Sequence, residues 1–460
     1  MKNLLILFVL SFFTASPLLS EDTPKDNAVD PLEWKVGVSS VMITPEESMW
    51  MAGYGFRDRP SEGTRHDLWA KALAFEDVDG HQGVLITTDL LGFPKGISDT
   101  IRDRIEENFG LSRAQVILNS SHTHTGPVLE NALVDIYPLD DQQKTLIARY
   151  SRQLEDRIVE LAGEALRAME PARIYAENGV TRFAVNRRDN PAATLHQQTE
   201  LKGPTDYAVP VLSVKNNSGE LIAVAFGYAC HTTSISDYKW SGDYAGFAQL
   251  ELEEAYPGVT ALFFQGAGAD QNPLPRGTIE LAEQYGRSLA IAVQRVLKEE
   301  MNPLPAQLST AYSEVELGLT TPPTREELDE FAAESSGYQE RWANRMIEKL
   351  DSGESFIRSY PFPVQAWNIG GQPVFTLGGE LVVDYAIELK RIFGYDTFVM
   401  GYTNDVMSYI PSARILREGG YEGETSQMVY GMPSIWRSDI ETLILNEILK
   451  VAEQAEVPAQ

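Results

Sequence analysis

Short apolar runs bounded by turn residues alternate along this chain with longer stretches whose apolar residues recur at three- and four-residue spacing. The short runs predict strands over Gly83 to Thr88, Gln115 to Asn119, Val209 to Val214, Leu221 to Tyr228, Val259 to Phe264, Pro373 to Leu377 and Thr397 to Gly401. Between the third and fourth, Asn216-Asn217-Ser218-Gly219 is a turn sequence, so these two are expected to form a hairpin. Helical periodicity falls on Ile97 to Phe109, Leu146 to Met169, Ala245 to Tyr256, Glu280 to Glu299, Arg325 to Leu350, Leu381 to Phe393 and Ser438 to Ala455. A hairpin combined with strand–helix alternation predicts an α/β fold of mixed β-sheets flanked by helices. No linker follows Trp34 and no internal repeat is evident, so one large domain over residues 34–455 is expected. The stretch from Thr321 to Glu354 is rich in Glu and Arg and opens on Pro322-Pro323. It reads as a surface helical insertion, with a partner-binding helix as the alternative.

Composition narrows the setting. Met1-Lys2-Asn3, an apolar run from Leu4 to Phe13 and small or polar residues to Ser20 predict a signal peptide over 1–20, then a flexible leader over 21–33. The expected location is therefore secreted or periplasmic, an uncleaved N-terminal anchor being the alternative. No cysteine follows the apolar run, which excludes a lipoprotein, and no later stretch approaches the ~20 apolar residues of a transmembrane helix. Lys and Arg total 38 against 66 Asp and Glu, a formal charge of −28 that repels nucleic acid and anionic lipid surfaces and describes an acidic solvated exterior. The single cysteine, Cys230, allows no internal disulfide and is expected to be a small buried apolar residue. Oligomeric state is not legible.

The candidate chemistry centres on histidine. Of the six, His66, His81, His122, His124, His196 and His231, two share the tripeptide His122-Thr123-His124 directly after a predicted strand. In extended chain residues i and i+2 project to one side, strand ends are where α/β folds place ligands, and neutral imidazole binds zinc. The ordinary alternative is a pair of hydrogen-bonding structural residues. His231 also follows a predicted strand, Leu221 to Tyr228. Glu380 ends the segment Gly378-Gly379-Glu380 after another, where a helix-start acid is the plain reading; Tyr409, beyond Asn404-Asp405, reads as packing. The run from Phe263 to Pro273 breaks into the glycine loop Gly266-Ala267-Gly268-Ala269-Asp270-Gln271-Asn272, which lacks the lysine of a phosphate cradle.

These segments together resemble the neutral ceramidase family of zinc amidases. The resemblance runs from about Val36 to Gly431. It is carried by Val36-Gly37-Val38, Ile43-Thr44-Pro45, Met51-Ala52-Gly53-Tyr54-Gly55, His122-Thr123-His124-Thr125-Gly126-Pro127, Asn186-Arg187, His231, Gly379-Glu380, the Asn404-to-Tyr409 spacing, Tyr421-Glu422-Gly423 and Tyr430-Gly431. It implies a zinc ion held by His122, His231, Glu380 and Tyr409, with His124 and Arg187 facing a small-molecule or lipid substrate. It also implies hydrolysis of an N-acyl amide bond by metal-activated water, with His124 moving the proton and Asn272, Gln271 or Arg187 bonding the developing oxyanion. The family's Gly-Asp-x-Ser-Pro-Asn motif reads Ala269-Asp270-Gln271-Asn272-Pro273 here, so Asn272 stands where a serine is expected and is no nucleophile. The chain ends soon after the resemblance, so the family's C-terminal immunoglobulin-like domain is not expected. Two other readings stay open: a zinc-dependent deacylase or other hydrolase acting on carbohydrate or small polar substrates, and an inactive zinc-containing binding protein. A deep apolar tunnel at the metal favours the lipid amidase; an open polar bowl favours the polar substrate.

Overall fold

In the computed structural model, which describes residues 30–460, successive side chains along the central strands enter different cores. The expected signal peptide and residues 21–29 of the expected leader lie outside the described residues. Nine strands make the larger sheet. Its long members are β1 (Trp34–Met42), β2 (Trp69–Glu76), β3 (Gln82–Thr88), β4 (Val116–Ser120), β5 (Glu170–Val180), β6 (Ala208–Asn216), β7 (Leu221–Tyr228) and β8 (Thr260–Gln265), in spatial order β4-β3-β2-β1-β5-β6-β7-β8. A second sheet holds four strands in sequence order, β9 (Leu308–Gly318), β10 (Ser359–Ile369), β11 (Gln372–Leu377) and β12 (Phe398–Met400).

Leu73, Phe75, Ile117, Leu212, Leu262 and Phe264 of the large sheet share one core with Trp367, Val374, Phe398 and Met400 of the small one. Their neighbours Ala72, Ala74 and Leu118 pack on α1 (Lys95–Phe109) and α2 (Asp141–Arg167), while Val211, Phe226 and Phe263 pack on α3 (Asp243–Ala255) and α4 (Ile279–Lys298). Val364, Phe375 and Leu377 face outward to the helices Val383–Phe393 and Ile440–Gln454. The result is helix, sheet, sheet, helix, the mixed α/β architecture expected. Each large apolar side chain buried in it contributes roughly 1.5–3 kcal/mol, which accounts for a fold with no disulfide.

One path is followed three times. Three antiparallel strands lead through a helix to a fourth strand parallel to the third, then to a second helix: β1-β2-β3-α1-β4-α2, then β5-β6-β7-α3-β8-α4, then β9-β10-β11, helix Val383–Phe393, β12 and helix Ile440–Gln454. The repeat is absent from the sequence because only the in/out alternation and the connection order are shared, not residue types. The ends of the three fourth strands are tied together. Asn119 at the end of β4 donates Nδ2 to Gly401 O at 2.8 Å and accepts from Gln265 N at 2.9 Å, and Gly401 N donates to Gln265 O at 3.1 Å.

The seven predicted strands are all present, as is the hairpin of β6 and β7. One helix is corrected. The segment expected as a single helix from Arg325 to Leu350 is two helices, Arg325–Glu334 and Tyr338–Asp351, broken at Ser335-Ser336-Gly337, where Gly337 has φ 67°. Nor is it only a surface insertion, because Leu328, Trp342, Ala343 and Met346 form a small core of their own. Arg345 pairs with Asp135 at 2.6 Å, and Trp342 Nε1 donates to Met432 O at 3.0 Å. No helix among the described residues is long and apolar enough to cross a membrane.

Candidate metal centre

The converging strand ends bring together His122, His124, His231, Glu380, Tyr409, Arg187 and Asn272, whereas His66 bonds Ser241, His81 bonds Asp77 and His196 is exposed. His122 follows β4 and His231 follows β7. Glu380 and Tyr409 belong to two-residue strands, Glu380–Leu381 and Tyr409–Ile410, that pair in parallel with Glu380 opposite Tyr409. The short strands Ala184–Asn186 and Gln271–Pro273 pair antiparallel, setting Arg187 beside Asn272, and His231 N donates to Gln271 O at 2.9 Å. His122 has φ 58°, a left-handed conformation rare for a residue with a Cβ and characteristic of functional sites.

The hydrogen bonds fix the ring tautomers. His122 Nδ1 lies 2.7 Å from Leu91 O, and His231 Nδ1 lies 2.8 Å from Gly268 O. A carbonyl only accepts, so each Nδ1 carries a proton, and in the neutral form of such a ring the lone pair of Nε2 faces inward. Between those nitrogens sits Glu380 Oε2, 3.2 Å from His122 Nε2 and 3.1 Å from His231 Nε2, buried and without a hydrogen-bond donor. The Tyr409 hydroxyl is 3.3 Å from His231 Nε2, and His124 Nε2 is 3.2 Å from His122 Nε2. Burial, then the positive charge of Arg187, lowers the His231 pKa to about 4. Burial, then the neighbouring His122 and His231, holds His124 far below the ordinary imidazole value.

Lone pairs of nitrogen and carboxylate oxygen facing one another at this distance repel unless a cation lies among them. Donors arranged tetrahedrally around a metal at ~2.0–2.1 Å stand about 3.3 Å apart, close to the separations found here. The donor set of imidazoles, carboxylate and phenol oxygen suits zinc. The site therefore fits a metal ion. His122, His124 and His231 form a histidine cluster able to hold one, so His124, expected to face substrate, stands within reach of the centre itself.

Supporting groups were less visible in the sequence. The Tyr430 hydroxyl donates to Glu380 Oε1 at 2.5 Å, fixing the carboxylate, and the Tyr54 ring packs on His124 with centroids 4.8 Å apart. Both tyrosines lie in motifs quoted above, but nothing in their spacing points to these partners. Arg187 donates Nη2 to the Tyr409 hydroxyl at 3.2 Å and Nη1 to Asn272 Oδ1 at 3.4 Å, and Glu422 holds its Nε at 2.7 Å. Gln271, expected as one of three oxyanion donors, is fully buried, and its amide donates to Ala229 O and accepts from Asp206 N. Cys230 is fully buried in the helix-facing core with Tyr228, Tyr244 and Phe263, as expected of a small apolar residue. The opening beside Arg187 and Asn272 is a bowl of about 510 Å³ lined also by Arg188, Asp189, Arg276, Glu418, Tyr421 and Glu422. No aliphatic side chain lines it.

The chain is similar to known proteins in sequence and in fold. Residues 34–324 match the family model described as neutral/alkaline non-lysosomal ceramidase, N-terminal. Neutral ceramidase A of Dictyostelium discoideum is 26% identical over 273 residues, covering 54% of this chain and 37% of that protein. Neutral ceramidase B of the same organism is 26% identical over 245 residues, covering 49% and 32%. The chain thus spans about a third of the length of these relatives. The crystal structure of neutral ceramidase from Pseudomonas aeruginosa superposes with a TM-score of 0.71 at 18% identity, covering 94% of this chain and 76% of that one. A ceramidase complexed with C2 gives the same TM-score at 16% identity, over 93% and 76%. At these identities the structural matches establish the fold.

Proposed function

The chain belongs to the neutral/alkaline non-lysosomal ceramidase family, and from that premise we propose that its centre binds zinc through His122, His231, Glu380 and Tyr409 and hydrolyses the amide bond of an N-acyl compound. The observation that carries the reading is Glu380 Oε2, buried without a donor between two inward-facing imidazole nitrogens. Zinc bound at such a site supplies Lewis acidity, bringing a water towards a neutral pKa and polarising a carbonyl oxygen.

The chain's own residues do the rest. His124 Nε2 lies 3.2 Å from His122 Nε2, which sets it to take the proton of the attacking water and return it to the leaving amine. Arg187 is held by Glu422 and aimed at Tyr409, which makes its guanidinium the donor for charge developing on the carbonyl oxygen, with Asn272 beside it. No serine nucleophile is needed. The second reading, a polar rather than lipid substrate, is favoured by the bowl. An acyl chain gains ~0.8 kcal/mol per methylene only against apolar walls, and the walls at Arg187 and Asn272 are charged or polar.

The test is release of acid from labelled N-acyl amides, ceramide among them, before and after chelation. Loss of turnover on chelation, recovery with zinc, and a His124→Ala protein that keeps its zinc but turns over at least 100-fold more slowly are the expected results. Full turnover after metal removal contradicts the proposal.

A further inference from the structure

Arg276 lines the bowl beside Arg187 and Asn272, and its surroundings differ from those of the other two arginines there. Arg187 donates to Glu422, and Arg188 donates to Glu422 at 2.7 Å and to Glu418 at 3.0 Å. Glu418 is bonded by Arg414 as well. Arg276 is exposed and donates Nη1 to the Thr233 hydroxyl at 2.9 Å, and among the described residues no carboxylate pairs with it. In a chain with 66 acidic residues, a cation left without an acid in the bowl that Arg187 and Asn272 also line, Arg187 itself bonding the Tyr409 hydroxyl, is suited to pair with an anion from outside.

Two other groups in the bowl agree. Arg187 Nη1 makes only a long contact of 3.4 Å to Asn272 Oδ1, which leaves it and the Asn272 amide nitrogen as donors for an acceptor-rich ligand. Asp189 also lines the bowl, exposed like Arg276 and with no cation paired to it among the described residues, so its charge works against an anion there.

We infer that the substrate of this centre carries an anionic group of the carboxylate type near the scissile amide, seated against Arg276. Guanidinium and carboxylate meet through two parallel N–H···O bonds, a geometry that supplies specificity as well as attraction. The inference rests on the amide-hydrolase reading above and specifies its substrate class: an N-acyl amino acid or similar acidic amide, in place of an uncharged lipid amide.

The experiment compares kcat/KM of the zinc-loaded full chain on N-butanoylglycine and on N-butanoylethanolamine, which have the same acyl group and similar length but differ in charge. The charged amide is expected to be preferred at least 10-fold, mostly through KM. Arg276→Gln is expected to reduce that ratio by about 10- to 100-fold, Arg276→Lys to keep part of it, and Asp189→Asn to raise it. Because the readout is a ratio of two substrates in one protein, partial misfolding of a variant leaves it unmoved. Hydrolysis of both amides at equal kcat/KM, or a ratio indifferent to Arg276, overturns the inference and leaves the amidase reading standing. Failure to hydrolyse any amide overturns both.

Discussion

Gly53 shows how closely single residues are held around the centre. It has φ 101°, and a Cβ placed there would stand 2.5 Å from the ring of His124. Glycine therefore does two things at once, turning the chain and letting the backbone approach the imidazole. Its presence in Met51-Ala52-Gly53-Tyr54-Gly55 was legible; its contact was not, because His124 lies far along the chain. Asp405 carries the clearest pH dependence outside the cluster. Burial pushes its pKa up to about 7, against the pull of the Tyr360 hydroxyl bonded to it at 2.7 Å and the charge of Lys95, while Asp99 and Glu314 add to the upward push. The unfolded carboxyl titrates near ~4, so between that pH and 7 the folded state binds the extra proton. Its stabilisation is complete below about 4 and is lost as pH rises through 7. Asp405→Asn keeps the acceptor for Tyr360 and removes the charge. Its Tm is expected to fall less between pH 5 and pH 8.5 than that of the unaltered protein, as thermal unfolding at the two pH values will show. Parallel slopes would contradict the assignment.

Elements were legible where pattern and burial agreed. Every predicted strand lies in a core shared by two layers and reads as a continuous apolar run. Five long strands, β1, β2, β5, β9 and β10, went unseen; β2 is a buried apolar run interrupted by Lys71, and β1 and β5 mix polar and charged residues among their apolar ones. β9 is polar at many positions and sits at a sheet edge, and β10 contains Pro361 and Pro363, residues that ordinarily argue against a strand. Charge at helical spacing identified the segment from Arg325 to Leu350 as helix but concealed its break, because Ser335-Ser336-Gly337 weighs little against the Glu and Arg around it. The two helices fold back on Trp342, whose ring meets Phe331 at 5.8 Å. Trp342→Ala is expected to cost about 3–5 kcal/mol. Because this core is separate from the others, the loss should appear as faster amide exchange over 325–351, with exchange in α2 unchanged. Equal acceleration in both helices would show that the hairpin is not an independent packing unit.

At the scale of the molecule, the site is a consequence of topology. Three copies of one strand path end together, joined through Asn119, Gln265 and Gly401. Histidines from the first two and Glu380 and Tyr409 from the third thereby meet, although they span most of the chain. Local pattern could nominate His122, His124 and His231, each just past an apolar strand. It could not nominate Glu380 or Tyr409, whose role depends on a two-residue pairing formed between distant segments. Those two also lie beyond residues 34–324, the segment matched by the family model, so the resemblance of motifs was the only sign of them in the sequence. The three-fold path and the charge pattern of the bowl were beyond reading, since both require positions in space.

The most direct test of the centre is metal analysis of the purified protein beside a His122→Ala, His231→Ala double variant whose folding is checked by circular dichroism. Close to one zinc per chain in the unaltered protein and almost none in the folded variant is the expected result. Equal zinc in the two, or none in either after exposure to the ion, would contradict it.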